Sequence, residues 1–186
     1  MQFAIGALIG ILSIVTLGKG VYDRYFRDQL KPKTKAATPN SAAIDDPLSH
    51  TNWRIRAEAI QKLDPTAENI ETLLPLLDDE DYDVRSIVRD KLAAIGKPAI
   101  APLLDVLENG KLDARQMAAE ALGQIGDNQA INGLLAAASD ESKWVRLAVV
   151  AALGQFKSQT ARKGLVKISQ SDDDAQVRDA AQNILT

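Results

Sequence analysis

The sequence predicts an all-α solenoid of about four helix pairs plus a terminal helix, preceded by a single transmembrane helix. Three observations carry this expectation. An aliphatic-arginine pair recurs at Ile55-Arg56, Val84-Arg85, Ala114-Arg115, Val145-Arg146 and Val177-Arg178, with separations of 29, 30, 31 and 32 residues; a period of that size marks a repeat architecture. A second apolar register at helical spacing fills each interval. The composition, with 4% aromatic residues and no cysteine, suits helices packed through small aliphatic side chains.

Residues 1–30 read as a transmembrane helix and its juxtamembrane segment. "MQFAIGALIGILSIVTLG" holds no charged side chain from Met1 to Gly18, and as a helix it would span about 27 Å, close to a thin hydrocarbon core. Lys19, Arg24 and Arg27 follow, interleaved with Tyr22, Tyr25 and Phe26, the mixture favoured at a membrane–water interface. Basic residues after the span and none before it favour an uncleaved anchor over a signal peptide. The same asymmetry predicts a single-pass protein with the repeat domain on the cytoplasmic side. Gly6 and Gly10 form a G-x-x-x-G spacing that suits close packing against another membrane helix. Residues 31–49, "KPKTKAATPNSAAIDDPLS", combine three prolines with small polar residues and read as a flexible linker.

Residues 50–186 form the repeat domain. Three residues after each arginine stand Ala59, Val88, Ala118, Val149 and Ala181; seven after it stand Leu63, Leu92, Leu122, Leu153 and Leu185. That spacing predicts a first helix running from the aliphatic-arginine pair to a breaker such as Asp64-Pro65, Gly96 or Gly126. Asp81, Asp83, Asp113, Asp140, Glu141 and Asp172–Asp174 lie just before these helices, where carboxylates can cap backbone N–H groups. The second helix follows Ile70, Leu73, Leu74, Leu77, then Ile100, Leu103, Leu104, Leu107, then Ile131, Leu134, Leu135, Ala138. The fourth copy departs, with Arg162 where isoleucine stood. Neither helix of a pair buries its face alone; stacking pairs buries both.

"DYDVRSIVRDKLAAIGKPAIAPLLDVL", "LDARQMAAEALGQIGDNQAINGLLAAAS" and "SKWVRLAVVAALGQF" resemble HEAT repeats, most closely the short bacterial type named for the phycobilisome lyases. The resemblance implies a curved right-handed stack whose second helices line the concave side. Its members include accessory subunits that attach or remove bilin chromophores and many binding adaptors.

Chemistry-bearing motifs are sparse. The row Arg56, Arg85, Arg115, Arg146, Arg178 is expected to pair with acidic residues of neighbouring repeats as an internal ladder. The acidic run Asp78–Asp83 lacks the glycine and terminal glutamate of an EF-hand loop, and His50 is the single histidine. No catalytic residue, metal site or cofactor is assigned, and the chain is read as a non-enzyme, although a lyase accessory role stays open. Residues 49–186 carry sixteen Lys/Arg against twenty-one Asp/Glu, a poor starting point for nucleic-acid binding.

Two features point to a protein partner. Trp53, Tyr82 and Trp144 fall near the inter-repeat turns, either as interface anchors or as rings packed over their own turns. Opposite the buried stripe of the second helices lie Glu68 and Glu71, then Asp105, then Asn132, then Lys163 and Lys167, a row running from acidic through neutral to basic. The two expected functions are a membrane-tethered adaptor that uses the groove or the aromatic edge, and an accessory factor in bilin attachment or phycobilisome assembly and turnover.

Overall fold

A computed structural model describes residues 46–186. The membrane span, the juxtamembrane segment, Gly6, Gly10 and most of the linker lie outside the described residues. The last linker positions, Pro47–Ser49, form a single 3-10 turn in which the Asp46 carboxylate accepts the Leu48 N–H at 3.1 Å. Leu48 packs against the core.

Among the described residues nine α-helices follow in the order α1 (Trp53–Lys62), α2 (Ile70–Leu73), α3 (Tyr82–Ile95), α4 (Ile100–Asn109), α5 (Leu112–Ile125), α6 (Ile131–Ala136), α7 (Lys143–Leu153), α8 (Gln159–Ser171) and α9 (Ala175–Leu185). There are no strands among the described residues. Odd-numbered helices are the first helices of their pairs and even-numbered ones the second, with α9 standing alone at the end. The described chain is an all-helical repeat solenoid. None of its helices is long and apolar enough to cross a membrane.

The first helices begin two residues ahead of the aliphatic-arginine pairs, because their caps lie further upstream than the apolar pattern shows. Asn52, Asp81, Ser142 and Asp174 each accept the backbone N–H two residues on, satisfying a donor that a helix start leaves free. Lys111 takes that position before α5 without a side-chain cap bond. The expected breakers act as caps at Gly96 and Gly126, whose φ angles of 77° and 67° suit glycine. The second helices α2, α4 and α6 are looser, each adjoining a 3-10 turn, whereas α8 runs unbroken. Pro75 falls within the first of them, which resolves into a 3-10 turn (Ala67–Asn69), α2 and a second 3-10 turn (Leu74–Asp78).

The repeat positions make one continuous core. Val84, Val145, Val177, Val88, Ala118, Val149, Ala181, Leu92, Leu122 and Leu153 are all fully enclosed, each large aliphatic side chain contributing about 1.5–3 kcal/mol by leaving water. Ile55, Leu63 and Leu185 hold the same positions at the two ends and are only partly covered, since a neighbour packs on one side alone. Close contacts set the helix spacing. A Cβ on Gly123 would lie 2.7 Å from Ala152 Cα, so α5 and α7 meet backbone to backbone. Leu104 of α4 rests on Gly133 of α6, and Leu135 of α6 rests on Gly164 of α8. In these two repeats the half-buried third residue of the apolar stripe is thus a knob placed over a glycine of the next repeat.

Candidate protein-binding surface

The arginine row is an internal ladder. Arg56 donates Nε and Nη2 to the two carboxylate oxygens of Asp79, both at 2.7 Å. Arg146 grips Asp172 in the same way at 2.9 and 3.1 Å. Arg115 Nη2 donates to Asp140 and Glu141, each at 3.1 Å, while its Nε lies 2.9 Å from Asp140 Oδ2 without hydrogen-bond alignment. The remaining nitrogen, Nη1, turns back to a carbonyl of the arginine's own turn: His50 for Arg56, Asp79 for Arg85, Gly110 for Arg115, Asp140 for Arg146 and Asp172 for Arg178. Arg56, Arg115 and Arg146 therefore link their own turn to the next one, whereas Arg178, at the end of the stack, bonds the carbonyls of its own turn. Hydrogen bonds donated to Asp79, Asp140 and Asp172, opposed by burial, hold Arg56, Arg115 and Arg146 above the usual arginine range. These carboxylates also accept the N–H two residues on. His50 Nδ1 does the same for Asn52 at the first turn, where no preceding arginine needs a carboxylate.

The acidic residues before the first helices thus have two jobs. Asp81 and Asp174 cap helices, whereas Asp79, Asp140 and Asp172 clasp arginines. In the acidic run, Asp78 takes Lys111 at 2.5 Å, Asp79 takes Arg56 and Asp81 takes the Asp83 N–H.

One ladder position is weak. The turn before α5 reads Gly110-Lys111, and Arg85 reaches only Asp113, at 3.4 Å, leaving its buried Nε without a hydrogen bond. The same α3–α5 junction holds an ion pair that sequence reasoning missed. Arg89 is 2% exposed and donates to Glu120 at 2.7 Å, Asp90 at 3.1 Å and Ser86 at 2.9 Å. Gln116 adds a bond to the other Glu120 oxygen at 3.2 Å. Burial disfavours the Arg89 charge, but the carboxylates of Glu120 and Asp90 prevail and hold its pKa above the usual range. A signal existed: four residues after the other repeat arginines stand Ile60, Ala119, Val150 and Gln182, so Arg89 is the cation in that column.

The second-helix side carries the polarised row. Glu68, Glu71, Asp105, Asn132, Lys163 and Lys167 are all exposed. Among the described residues, Glu68, Glu71, Lys163 and Lys167 make no ion pair, and Asp105 accepts a bond from Asn109 at 3.0 Å. Lys163 and Lys167 line an open groove of about 710 Å³ between α6 and α8, floored by Leu135, Ala138 and Ile168. Its far wall holds Asp140, Glu141 and Asp172, already engaged by Arg115 and Arg146, together with Asp173. Arg162 is exposed in place of the buried isoleucine and donates to the Leu185 carbonyl at 3.3 Å.

The three aromatic candidates do not share one row. Trp53 and Tyr82 open α1 and α3, half-buried, with the Arg54 and Arg85 guanidinium carbons 4.9 and 5.7 Å from their ring centres. Leu112 and Lys143 hold the matching positions of α5 and α7. Trp144 stands one residue later, 37% exposed, with Lys143 Nζ 5.1 Å from its ring. The rings of Trp53 and Tyr82 pack against the core, and Trp144 is the exposed one.

Comparison with known proteins gives the following likenesses. Residues 100–186 match the family model described as HEAT repeats. A protein of Pseudanabaena tenuis (strain PCC 7409) named "Uncharacterized phycocyanin operon protein Z" is 32% identical over 120 residues, 59% of this chain and 59% of the relative. The chain thus spans less than two thirds of the length of the curated relative it matches. Among solved structures, a designed armadillo repeat protein in complex with the peptide (KR)4 is 19% identical at a TM-score of 0.44, covering 74% of this chain and 77% of that one. A computationally designed armadillo repeat protein for modular peptide recognition is 18% identical at a TM-score of 0.45, covering 100% of this chain and 93% of that one.

Proposed function

We propose that the chain is a membrane-tethered adaptor whose repeat domain binds a partner protein on its second-helix side, with Lys163 and Lys167 as the principal contacts. The observation that carries this reading is the groove between α6 and α8: two lysines stand free on one wall while the carboxylates opposite are largely held by the ladder. Free charges beside an open, partly apolar recess can steer and orient a charged partner. The arginines, by contrast, are engaged in holding the stack together and are poor contact residues. The tether rests on the uncharged run Met1–Gly18 and the cations after it, which favour a cytoplasmic repeat domain. Lys163→Glu with Lys167→Glu, read by capture of partner protein from detergent-solubilised membranes, tests the groove. Loss of capture with unchanged helix content supports it, and unchanged capture removes it. Alkaline extraction of membranes tests the tether: release of the chain into the soluble fraction would refute an integral anchor.

A second reading, an accessory factor in bilin attachment or phycobilisome assembly and turnover, is favoured by the relative named for a phycocyanin operon. Mixing the chain with bilin, with and without phycobiliprotein subunits, and recording the visible spectrum tests the chromophore branch. The absence of a spectral shift in every mixture would exclude it.

A further inference from the structure

We propose that the second-helix face is self-complementary and that its occupant is a second copy of this chain, docked antiparallel across a two-fold axis. The inference rests on the reading of this face as a docking surface and names what docks there. Its charges are sorted by position. Residues 67–78 hold Glu68, Glu71 and Asp78 and no Lys or Arg, whereas residues 157–171 hold Lys157, Arg162, Lys163 and Lys167 and no Asp or Glu. Glu68, Glu71, Lys163 and Lys167 are exposed and unpaired among the described residues. Packed helices lie about 8–10 Å apart, so three steps along the row separate its ends by about 24–30 Å. That exceeds the screening length of about 8 Å at physiological salt. The two ends of one copy therefore leave each other unneutralised.

A closed pair of identical chains is isologous: if residue i meets residue j, then j meets i. A two-fold axis lying in the interface, parallel to the helices and passing between α4 and α6, sets the α2 unit of one copy against α8 of the other and α4 against α6. Glu68 and Glu71 of each copy then face Lys163 and Lys167 of the other. Asp105 faces Asn132, whose amide can donate to it, so no like charges are opposed in this row. The parallel arrangement would set carboxylates on carboxylates and ammonium groups on ammonium groups. The groove beside Lys163 and Lys167 gives the acidic edge a recess to enter, with Asp173 as the remaining free carboxylate on its rim. Paired in this way, the two copies cover the face that a foreign partner would use, so self-association and partner capture compete.

Charge reversal tests the geometry. One variant, Lys163→Glu with Lys167→Glu, is acidic at both ends of the row; a second, Glu68→Lys with Glu71→Lys, is basic at both. Sedimentation of the chain in detergent at about 0.05 M salt, repeated at about 0.5 M, reads the association. Wild type should pair at low salt and weaken at high salt. Each variant alone should associate about tenfold more weakly or worse, as exposed attractions become repulsions. Mixing the two variants, or combining all four changes in one chain, should restore pairing. A wild type that stays monomeric at low salt overturns the proposal, as does pairing that persists in both single-end variants through the segment containing Gly6 and Gly10. Failure of the mixture to restore pairing also overturns it. A monomeric wild type that loses partner capture on lysine reversal would leave the docking reading standing and self-pairing refuted.

Discussion

Removing Glu120 should cost more than removing the whole ion pair to which it belongs. Arg89 lies at the α3–α5 junction with 2% of its side chain exposed, and Glu120, 16% exposed, is its shortest contact at 2.7 Å. Breaking one side of a buried pair typically costs about 3–5 kcal/mol, because the remaining charge keeps its desolvation penalty without its counterion. Asp90 at 3.1 Å and the Ser86 hydroxyl at 2.9 Å stay in place, so Glu120→Ala belongs at the lower end, about 3 kcal/mol. Replacing both partners, as Arg89→Met with Glu120→Leu, removes the charge and the penalty together. It should leave stability within about 1 kcal/mol of wild type or raise it. Urea unfolding followed by far-ultraviolet circular dichroism reads both variants. With a slope of about 1.5 kcal/mol per molar, Glu120→Ala lowers the midpoint by about 2 M. The reasoning fails if the single variant unfolds within about 0.5 M of wild type, or if the double variant is the less stable of the two.

Two further outcomes follow from the same structure. Gly123→Ala gains about 1 kcal/mol of helix propensity but drives its new methyl into the Ala152 backbone, which cannot swing aside. The overpacking cost of about 1–3 kcal/mol should dominate, whereas Gly164→Ala meets only the tip of Leu135 and should be close to neutral; thermal unfolding of the pair separates rigid from yielding neighbours. Burial pushes the Asp174 carboxyl up, but the Gln176 N–H and the Lys143 ammonium outweigh it and hold it below the usual aspartate range. A depressed carboxyl contributes stability above its unfolded pKa and loses that contribution as pH falls through the folded value. The loss therefore lies below about pH 4, and Asp174→Asn should flatten that acid limb in urea midpoints recorded against pH.

The solenoid was legible because its period is written in side-chain volume. Val88, Ala118, Val149 and Ala181 sit where only small or aliphatic groups fit between stacked helices. The helix starts were misplaced because a cap is a local hydrogen bond, made by Asn52, Asp81, Ser142 and Asp174, outside the apolar pattern. The double use of aspartate was hidden for a related reason. Asp79 and Asp81 stand two residues apart in one acidic run, and only the reach of Arg56 tells the clasp from the cap. The knob-on-glycine contacts at Gly133 and Gly164 were also invisible, since a glycine inside a helix does not announce which leucine will cover it. On the candidate surface, the exposure of Lys163 and Lys167 followed from the helical register. Their groove depends on how α6 and α8 diverge, and the separation of Trp144 from Trp53 and Tyr82 depends on one residue of rotation.

The two-handed grip of the ladder arginines has a consequence for how such a chain can grow. A unit excised from the middle carries a guanidinium at its trailing side and a receiving carboxylate at its leading side. Duplicated and inserted whole, it meets both neighbours with matching halves, so the architecture can lengthen by modules without redesign at the joints. The Gly110-Lys111 turn lacks the receiving half, and a copy spliced there would join poorly. The permissible splice sites are therefore written into the turns.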